Sequence, residues 1–202
     1  RAARIGDFTV VSRDIVGPTV GKDLQWKGIS ATLTALGGIL LYVAFRFRFT
    51  FAVGAIVATF HDILITLVFL TWFGYDLSLN VIAAILTIAG YSVNDTIVVF
   101  DRVRENQRLL RREPLDAVVN RSVNQTLGRT IITSGTTFLA VLALFIFGGE
   151  VLRSFAFTML VGIITGTYST VFIAAAIAII LSRRTPAQAQ GVKPVEARRR
   201  RA

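Results

Sequence analysis

The sequence predicts an all-α integral membrane protein with five transmembrane helices and a short β segment at its N-terminus. Of its 202 residues, 53% are hydrophobic and 17% are charged, whereas about 25% of the residues in a soluble domain are charged. The apolar residues fall in runs long enough to cross a bilayer, which takes about 20 helical residues. Backbone groups in lipid must be hydrogen-bonded within the protein, and the runs lack the alternation of a barrel strand. Each run is therefore predicted to be a helix.

The chain divides into three parts. Residues 1–23 mix β-branched residues with charges and end near Gly17-Pro18, which predicts one or two strands and an exit loop. Because the chain starts at Arg1 without a Met or a signal peptide, we expect the end of a domain that begins upstream. Residues 183–202 form a basic tail that we expect to be disordered. The bundle is predicted over residues 24–182, with spans at about 24–45, 49–72, 79–100, 130–147 and 155–181.

The positive charges indicate the orientation of the helices rather than a nucleic-acid partner. The formal net charge is +10, but Lys and Arg lie mostly between the apolar runs or in the tail. Arginine concentrates in the turn at Arg46, in the loop 101–129 and in the tail, all on one side of a five-span bundle. Since positively charged loops stay in the cytoplasm, we expect that side and the C-terminus to be cytoplasmic. The N-terminal segment would then lie outside.

The predicted cytoplasmic loop has a helical pattern of its own. Pro114 is well placed to open a helix, and an apolar face follows it. Two interpretations remain open, a short helix lying on the inner membrane surface and an exposed connector helix. The apolar face consists of Leu115, Val118, Val119 and Val123.

Several kinds of functional site are excluded by composition. The chain has no cysteine and a single histidine, so it has neither a disulfide nor a thiolate or His-rich metal site. That histidine has no nucleophile and acid around it in a triad pattern, and the Gly-Gly pairs are too short for a nucleotide loop. We therefore expect no enzymatic activity, cofactor or metal.

Ionisable residues inside membrane spans are the first functional candidates. A central Asp or Arg costs about 2.5–3.5 kcal/mol on insertion scales. An ionisable residue inside a span therefore indicates a functional or structural role. His61, Asp62 and Asp95 lie clearly inside predicted spans, and Arg129 lies at the start of the fourth.

The third and fourth predicted helices carry polar stripes that could meet. Ser92 and Asp95 share a face of the third helix at i, i+3 spacing, and Asn94 lies on the adjacent stripe. These two helices are antiparallel, so an approach of Asp95 to Arg129 is geometrically reasonable. The stripe on the fourth helix consists of Arg129, Thr133, Thr136 and Thr137.

Two interpretations of Asp95 and Arg129 remain open. In the first, Asp95 is a proton carrier, because burial and a nearby Arg act in opposite directions on the pKa of a carboxyl group and can balance. In the second, the two residues are a static buried ion pair that fixes the register of the helices.

The neighbouring residues His61 and Asp62 lie in the middle of the second predicted span. Adjacent residues on a helix point about 100° apart, so they are not automatically a pair. A role in the relay and a role in interhelical hydrogen bonding both remain open.

A face of small residues predicts close packing of the fifth helix. Its members recur at four-residue spacing, as in small-xxx-small contacts between membrane helices. The partner helix can belong to this chain or to another. The face consists of Thr158, Gly162, Gly166 and Thr170.

A series of motifs, in order along the chain, resembles the SecF family of bacterial protein-export membrane proteins, within the RND superfamily. "VGPTVGKDL" precedes the first span and "HDILIT" lies in the second. "GYSVNDTIVVFDRVREN" covers the end of the third, and "NQTLGRTIITSGTT" enters the fourth. "FGG" follows at the end of the fourth span, and "FAFTMLVGIITGTYS" lies in the fifth. The motifs extend over about residues 16–182, most of the chain.

The resemblance implies a function and a setting. SecF-like proteins act with SecD and the SecYEG channel in the bacterial inner membrane, where the proton-motive force drives late steps of preprotein translocation. Asp95 matches the family's proton-carrying Asp, and Arg129 the Arg of that pathway. His61-Asp62 matches a motif of less settled role. YajC, YidC, the preprotein and membrane lipids are further expected partners, and protons are the coupling ion.

The resemblance also implies what lies outside this chain. SecF-like proteins have six spans and a periplasmic α+β domain between the first and second. We therefore expect a missing first span, and residues 1–23 would be the end of that domain. SecD would be a separate chain or fused upstream. An alternative function is half of an RND-type proton-driven exporter of small molecules or lipids, and another is a structural membrane subunit.

Overall fold

The structure, a computed structural model, describes residues 18–47 and 49–183, and it is a helical bundle. No strand occurs among these described residues. The predicted β segment, as far as residue 17, and the tail from residue 184 lie outside them. The helices are α1 Pro18–Arg46, α2 Phe49–Trp72, α3 Leu79–Leu109, α4 Leu115–Phe147, α5 Gly149–Ser169 and α6 Ala175–Arg183, with a π-helical turn at Thr170–Ala174 between the last two.

Five stretches of the described chain are long and apolar enough to cross a membrane, which confirms the predicted fold class. The α5, π-helical and α6 segments together form the fifth stretch, from Gly149 to Ser182. The first helix begins at Pro18 instead of near residue 24, so the predicted exit loop is helical from that residue onward. Proline suits the first turn of a helix, where its missing N–H is not needed.

Local signals explain where two helices begin. The Ser78 side chain caps α3 by accepting a hydrogen bond from the Val81 backbone N–H at 3.4 Å, which satisfies one of the free amides of a helix start. The tight connection between α4 and α5 uses Gly149, whose φ of 72° lies in the left-handed region that favours glycine.

The prediction of a separate helix on the membrane surface is wrong. Residues from Leu115 to Phe147 form one unbroken helix, and no proline interrupts this stretch of the sequence. The apolar face instead packs inside the bundle, where Val119 and Val123 join the core at the end of α3. The Asn106 amide also donates a 2.8 Å hydrogen bond to the Ser122 hydroxyl between α3 and α4.

Helix α5 is central and packs against α2, α3 and α4. The predicted small face is confirmed within the chain, since Gly162 lies against Ile88 of α3. Two turns further along this face, the hydroxyls of Thr170 and Thr96 are 3.0 Å apart. The hydrophobic effect does not drive helices together in lipid, so they associate largely through close van der Waals packing. Small residues allow this packing because they let two helix backbones approach each other.

Helices α1 and α4 have large faces that no other described residue covers. In an apolar 18-residue stretch of each span, only 6% of the α1 stretch and 17% of the α4 stretch are buried inside the structure, against 39% in each of the other three spans. The bundle also has one basic end, where α1 and α3 finish and α2 and α4 begin. We call this the arginine-rich end, after Arg46, Arg104 and Arg108.

Candidate functional site

Asp95 is held at one oxygen and has no partner at the other. Its Oδ1 accepts a 2.7 Å hydrogen bond from the Thr130 hydroxyl of α4. Its Oδ2 is buried and, within the described part of the chain, is the only buried side-chain polar atom without a hydrogen-bond partner. An unsatisfied buried polar atom is rare because it costs the full desolvation of the group. The free oxygen is therefore a candidate for binding a proton.

Arg129 lies near Asp95 but does not bond to it. Its side chain is exposed, and the ion pairs of the described residues do not include one between these two groups. Arg129 is nevertheless the neighbour in sequence of Thr130, whose hydroxyl donates to the Asp95 carboxyl. Because the next residue, Thr130, faces α3, Arg129 is turned aside by about 100°. The structure thus places Arg129 beside the Thr130 partner of Asp95, without a buried ion pair between Arg129 and Asp95.

The face of α4 that meets α3 differs from the predicted stripe. Thr133 is exposed and donates to the Arg129 carbonyl of its own helix at 2.9 Å. Ser134 instead faces the bundle, accepting from Tyr91 at 3.3 Å and from Thr167 at 2.9 Å. Thr136 and Thr137 also donate to carbonyls of their own helix.

Ser92 and Asn94, the polar neighbours of Asp95 along α3, point in different directions. Asn94 is exposed and lines a groove between α1 and α3. Ser92 is buried and donates a 2.6 Å hydrogen bond to Asp62 of α2. Neither residue bonds to Asp95. The polar side of α3 therefore contributes to two separate clusters, the first around Asp95 and the second around Asp62.

Asp62 is the centre of the second cluster and is 0% exposed. Its Oδ2 accepts from Ser92 at 2.6 Å and from Ser169 of α5 at 2.7 Å. Its Oδ1 lies 3.2 Å from His61 Nδ1. These contacts tie α2, α3 and α5 together, which favours the interhelical hydrogen-bonding role over a direct place beside Asp95.

Two features of α5 and its continuation allow this cluster to form. A Cβ added at Gly166 would lie 3.2 Å from Ser92 Cβ and 3.6 Å from Asp62 Oδ2, so a larger residue would push the helices apart. The π-helical turn starts directly after Ser169, and such turns are frequent at functional sites. Gly54 of α2 approaches the end of this turn, since its added Cβ would lie 2.7 Å from the Ala174 carbonyl oxygen.

Thr130 and Ser169 were missed as site residues by the sequence reasoning. Ser169 lies three residues after Gly166 and so is near the small face of α5, which was a usable signal. Thr130 directly follows Arg129, and only the rotation of α4 decides which of the two faces Asp95. No group of three or more metal-ligating side chains occurs among the residues that the structure describes.

Comparison with known proteins assigns the chain to a family. The family described as "Protein export membrane protein SecD/SecF, C-terminal" matches residues 2–184. The protein translocase subunit SecF of Koribacter versatilis is 56% identical over 168 residues, which cover 83% of this chain and 42% of that protein. The protein translocase subunit SecDF of Thermus thermophilus is 50% identical over 180 residues, or 89% of this chain and 24% of that protein.

A solved structure shares the fold. The crystal structure of Thermus thermophilus SecDF, a translocon-associated membrane protein, superposes with a TM-score of 0.80 at 51% identity over 84% of this chain and 24% of that one. SecDF in a super-membrane-facing form gives a TM-score of 0.76 at 48% identity. This chain thus spans less than half the length of these relatives. The family match, the identities and the shared fold together show that the chain belongs to the SecD/SecF family of protein-export membrane proteins.

Proposed function

We propose that this chain is the membrane part of a SecF-type subunit that uses proton movement to drive late steps of protein export. The observation that carries the proposal is the Asp95 carboxyl, whose Oδ1 is bonded to Thr130 and whose buried Oδ2 is unpartnered. A carboxyl group in an apolar bundle is costly. Binding of a proton at Oδ2 would remove its charge and leave the hydrogen bond from Thr130 in place.

Arg129 supplies the opposing influence in this proposal. Arg129 is an exposed guanidinium next to Thr130, the partner of Asp95, and in this proposal its positive charge stabilises the ionised carboxylate. A proton would be taken up when Asp95 is open to the outer side, and released when it is open toward the arginine-rich end. Because Arg129 is not in an ion pair with Asp95 among the described residues, the static-pair interpretation has less support.

The proposed setting follows from the relatives. Proteins named SecDF combine both subunit names in one chain, so SecD is the first expected partner, fused or separate. SecYEG, YajC, YidC and the translocating preprotein are further proposed partners. The proposed location is the bacterial inner membrane with the arginine-rich end in the cytoplasm, where positively charged loops stay. Protons are the proposed coupling ion, and we propose no cofactor and no enzymatic activity.

Replacing Arg129 with Gln tests the proposal. Without the guanidinium, release of the proton from Asp95 should be hindered, so the increment of export that depends on the proton gradient should fall several-fold. The assay measures preprotein export into membrane vesicles that hold SecYEG, SecD and the complete subunit, with and without a proton gradient. Export without the gradient should be unchanged.

Arg121→Gln is the matched control, because Arg121 lies on the same helix and contacts Glu113 at 3.7 Å instead of approaching Asp95. The control should keep the full gradient-dependent increment. Equal increments in the Arg129→Gln and wild-type proteins would contradict the proposed role of Arg129.

A further inference from the structure

The arginine-rich end holds an open cavity of about 690 Å³ between α3 and α4, next to the last residue of α1. Five of the ten side chains around it are arginines and two are acids. The cavity is lined by Arg46, Val98, Asp101, Arg102, Arg104, Glu105, Arg108, Gln125, Thr126 and Arg129.

The positive charge of this cavity is only partly neutralised. Arg46 Nη2 lies 2.8 Å from Asp101 Oδ1, and Arg102 Nη1 lies 2.6 Å from Glu105 Oε2. These two pairs use both acids. The three remaining arginines, Arg104, Arg108 and Arg129, have no ion pair with any described residue. An anion would therefore be attracted into the cavity.

An apolar groove of about 500 Å³ lies between α1 and α3, on the membrane side of this cavity. It is lined by Ala35, Gly38, Ile39 and Tyr42 from α1 and by Gly90, Val93, Asn94 and Ile97 from α3. The groove is open beside two of its residues, since a Cβ added at Gly38 or Gly90 would meet no atom within 4 Å.

The groove and the cavity follow each other on the same helix faces. Along α1, the groove residues Gly38 and Tyr42 lead at four-residue spacing to Arg46 of the cavity. Along α3, Ile97 of the groove is followed by Asp101 and Arg104 of the cavity at i+4 and i+7. Residues at such spacings share one face of a helix. The apolar groove therefore ends at the basic cavity.

The junction lies where a membrane surface is expected. Phe45 and Phe49, at the ends of α1 and α2, are 86% and 80% exposed, and the arginines begin directly beyond them. A phospholipid has the same order of chemistry along its length, with a phosphate at the surface and an acyl chain below it. Guanidinium groups bind phosphate through paired charge-assisted hydrogen bonds.

We propose that the cavity and the groove together form a binding site for one anionic phospholipid. The phosphate lies against Arg104 and Arg108, and one acyl chain lies between α1 and α3. Basic pockets between membrane helices bind anionic headgroups in this way. Among the described residues little covers α1, so the groove is accessible from the bilayer in this part of the protein. The site does not depend on the proposed proton relay.

The test measures lipid retention by native mass spectrometry of the full chain, extracted from bilayers of phosphatidylglycerol or of phosphatidylcholine. We expect one tightly held phosphatidylglycerol per chain and no comparable phosphatidylcholine. The Arg104→Gln/Arg108→Gln variant should lose phosphatidylglycerol by about tenfold or more, because two charge contacts are removed. The Arg112→Gln/Arg121→Gln variant, which loses the same charge outside the cavity, should retain it.

A second arm separates the lipid from its headgroup alone. Gly38→Leu fills the groove and should weaken retention of phosphatidylglycerol, while inorganic phosphate should displace the lipid poorly. Equal retention of both lipids, or loss of phosphatidylglycerol to the same extent in both Arg variants, would overturn the proposal. So would full displacement by inorganic phosphate together with normal retention in Gly38→Leu, since the cavity would then be a site for phosphate only.

Discussion

Replacing Asp95 with Asn is expected to abolish the part of protein export that depends on the proton gradient. The amide keeps nearly the same size and can still accept the hydrogen bond that Thr130 gives to Oδ1, but it cannot bind and release a proton. Export in the presence of a gradient should fall to the level measured without one. The measurement is gradient-driven export in vesicles, and the variant should reach the membrane in normal amounts.

Asp101→Asn is the control for this change. Asp101 lies on the same helix and pairs with Arg46 at 2.8 Å in the arginine-rich end, away from the Asp95 carboxyl. Its replacement removes the same charge and should leave the gradient-dependent increment in place. A normal increment in Asp95→Asn would show that another group carries the proton.

Replacing Asp62 with Leu is expected to destabilise the bundle. The change removes the acceptor of two interhelical hydrogen bonds, from Ser92 and Ser169, and leaves two buried hydroxyls to find other partners. Interhelical hydrogen bonds in membranes contribute about 0.6–2 kcal/mol each, so the free energy of unfolding should fall by about 1–4 kcal/mol. Asp62→Asn, which keeps one acceptor oxygen, should cost less. Reversible unfolding in mixed micelles measures both changes.

Thr66→Val provides the comparison, because Thr66 is also buried on α2 but donates only to the Asp62 carbonyl of its own helix, at 2.7 Å. Its loss removes no contact between helices and should be nearly neutral. If Asp62→Leu and Thr66→Val unfold at the same free energy, the Asp62 cluster does not hold the helices together.

Much of the bundle could be predicted because the length of an apolar run and the spacing of residues on a helix face can both be read from neighbouring residues in the sequence. The apolar runs predicted the five spans, and the four-residue spacing of Gly162 and Gly166 predicted a packing face that α3 fills. The start of α4 was harder. Pro114 was identified as a helix start, but only tertiary packing of Val119 and Val123 on the end of α3 shows that the helix continues into the span.

The candidate site was predictable as a list of costly residues but not as a set of contacts. An acid in an apolar run made Asp95 conspicuous. Which residue of α4 becomes the partner of Asp95 depends on how α4 is turned about its own axis, because Arg129 and Thr130 point about 100° apart. Ser169 reaches Asp62 across 107 residues of sequence, and spacing within one helix cannot reveal such a contact.

Infrared difference spectroscopy of the complete subunit in energised membranes tests the central claim most directly, because a protonated carboxyl has a C=O stretch that a carboxylate lacks. Formation of a proton gradient should change the intensity of this band in the wild-type protein, and the change should be absent from Asp95→Asn and retained in Asp101→Asn. A wild-type band that does not respond to the gradient, or an equal response in Asp95→Asn, would contradict the role of Asp95 as the proton carrier.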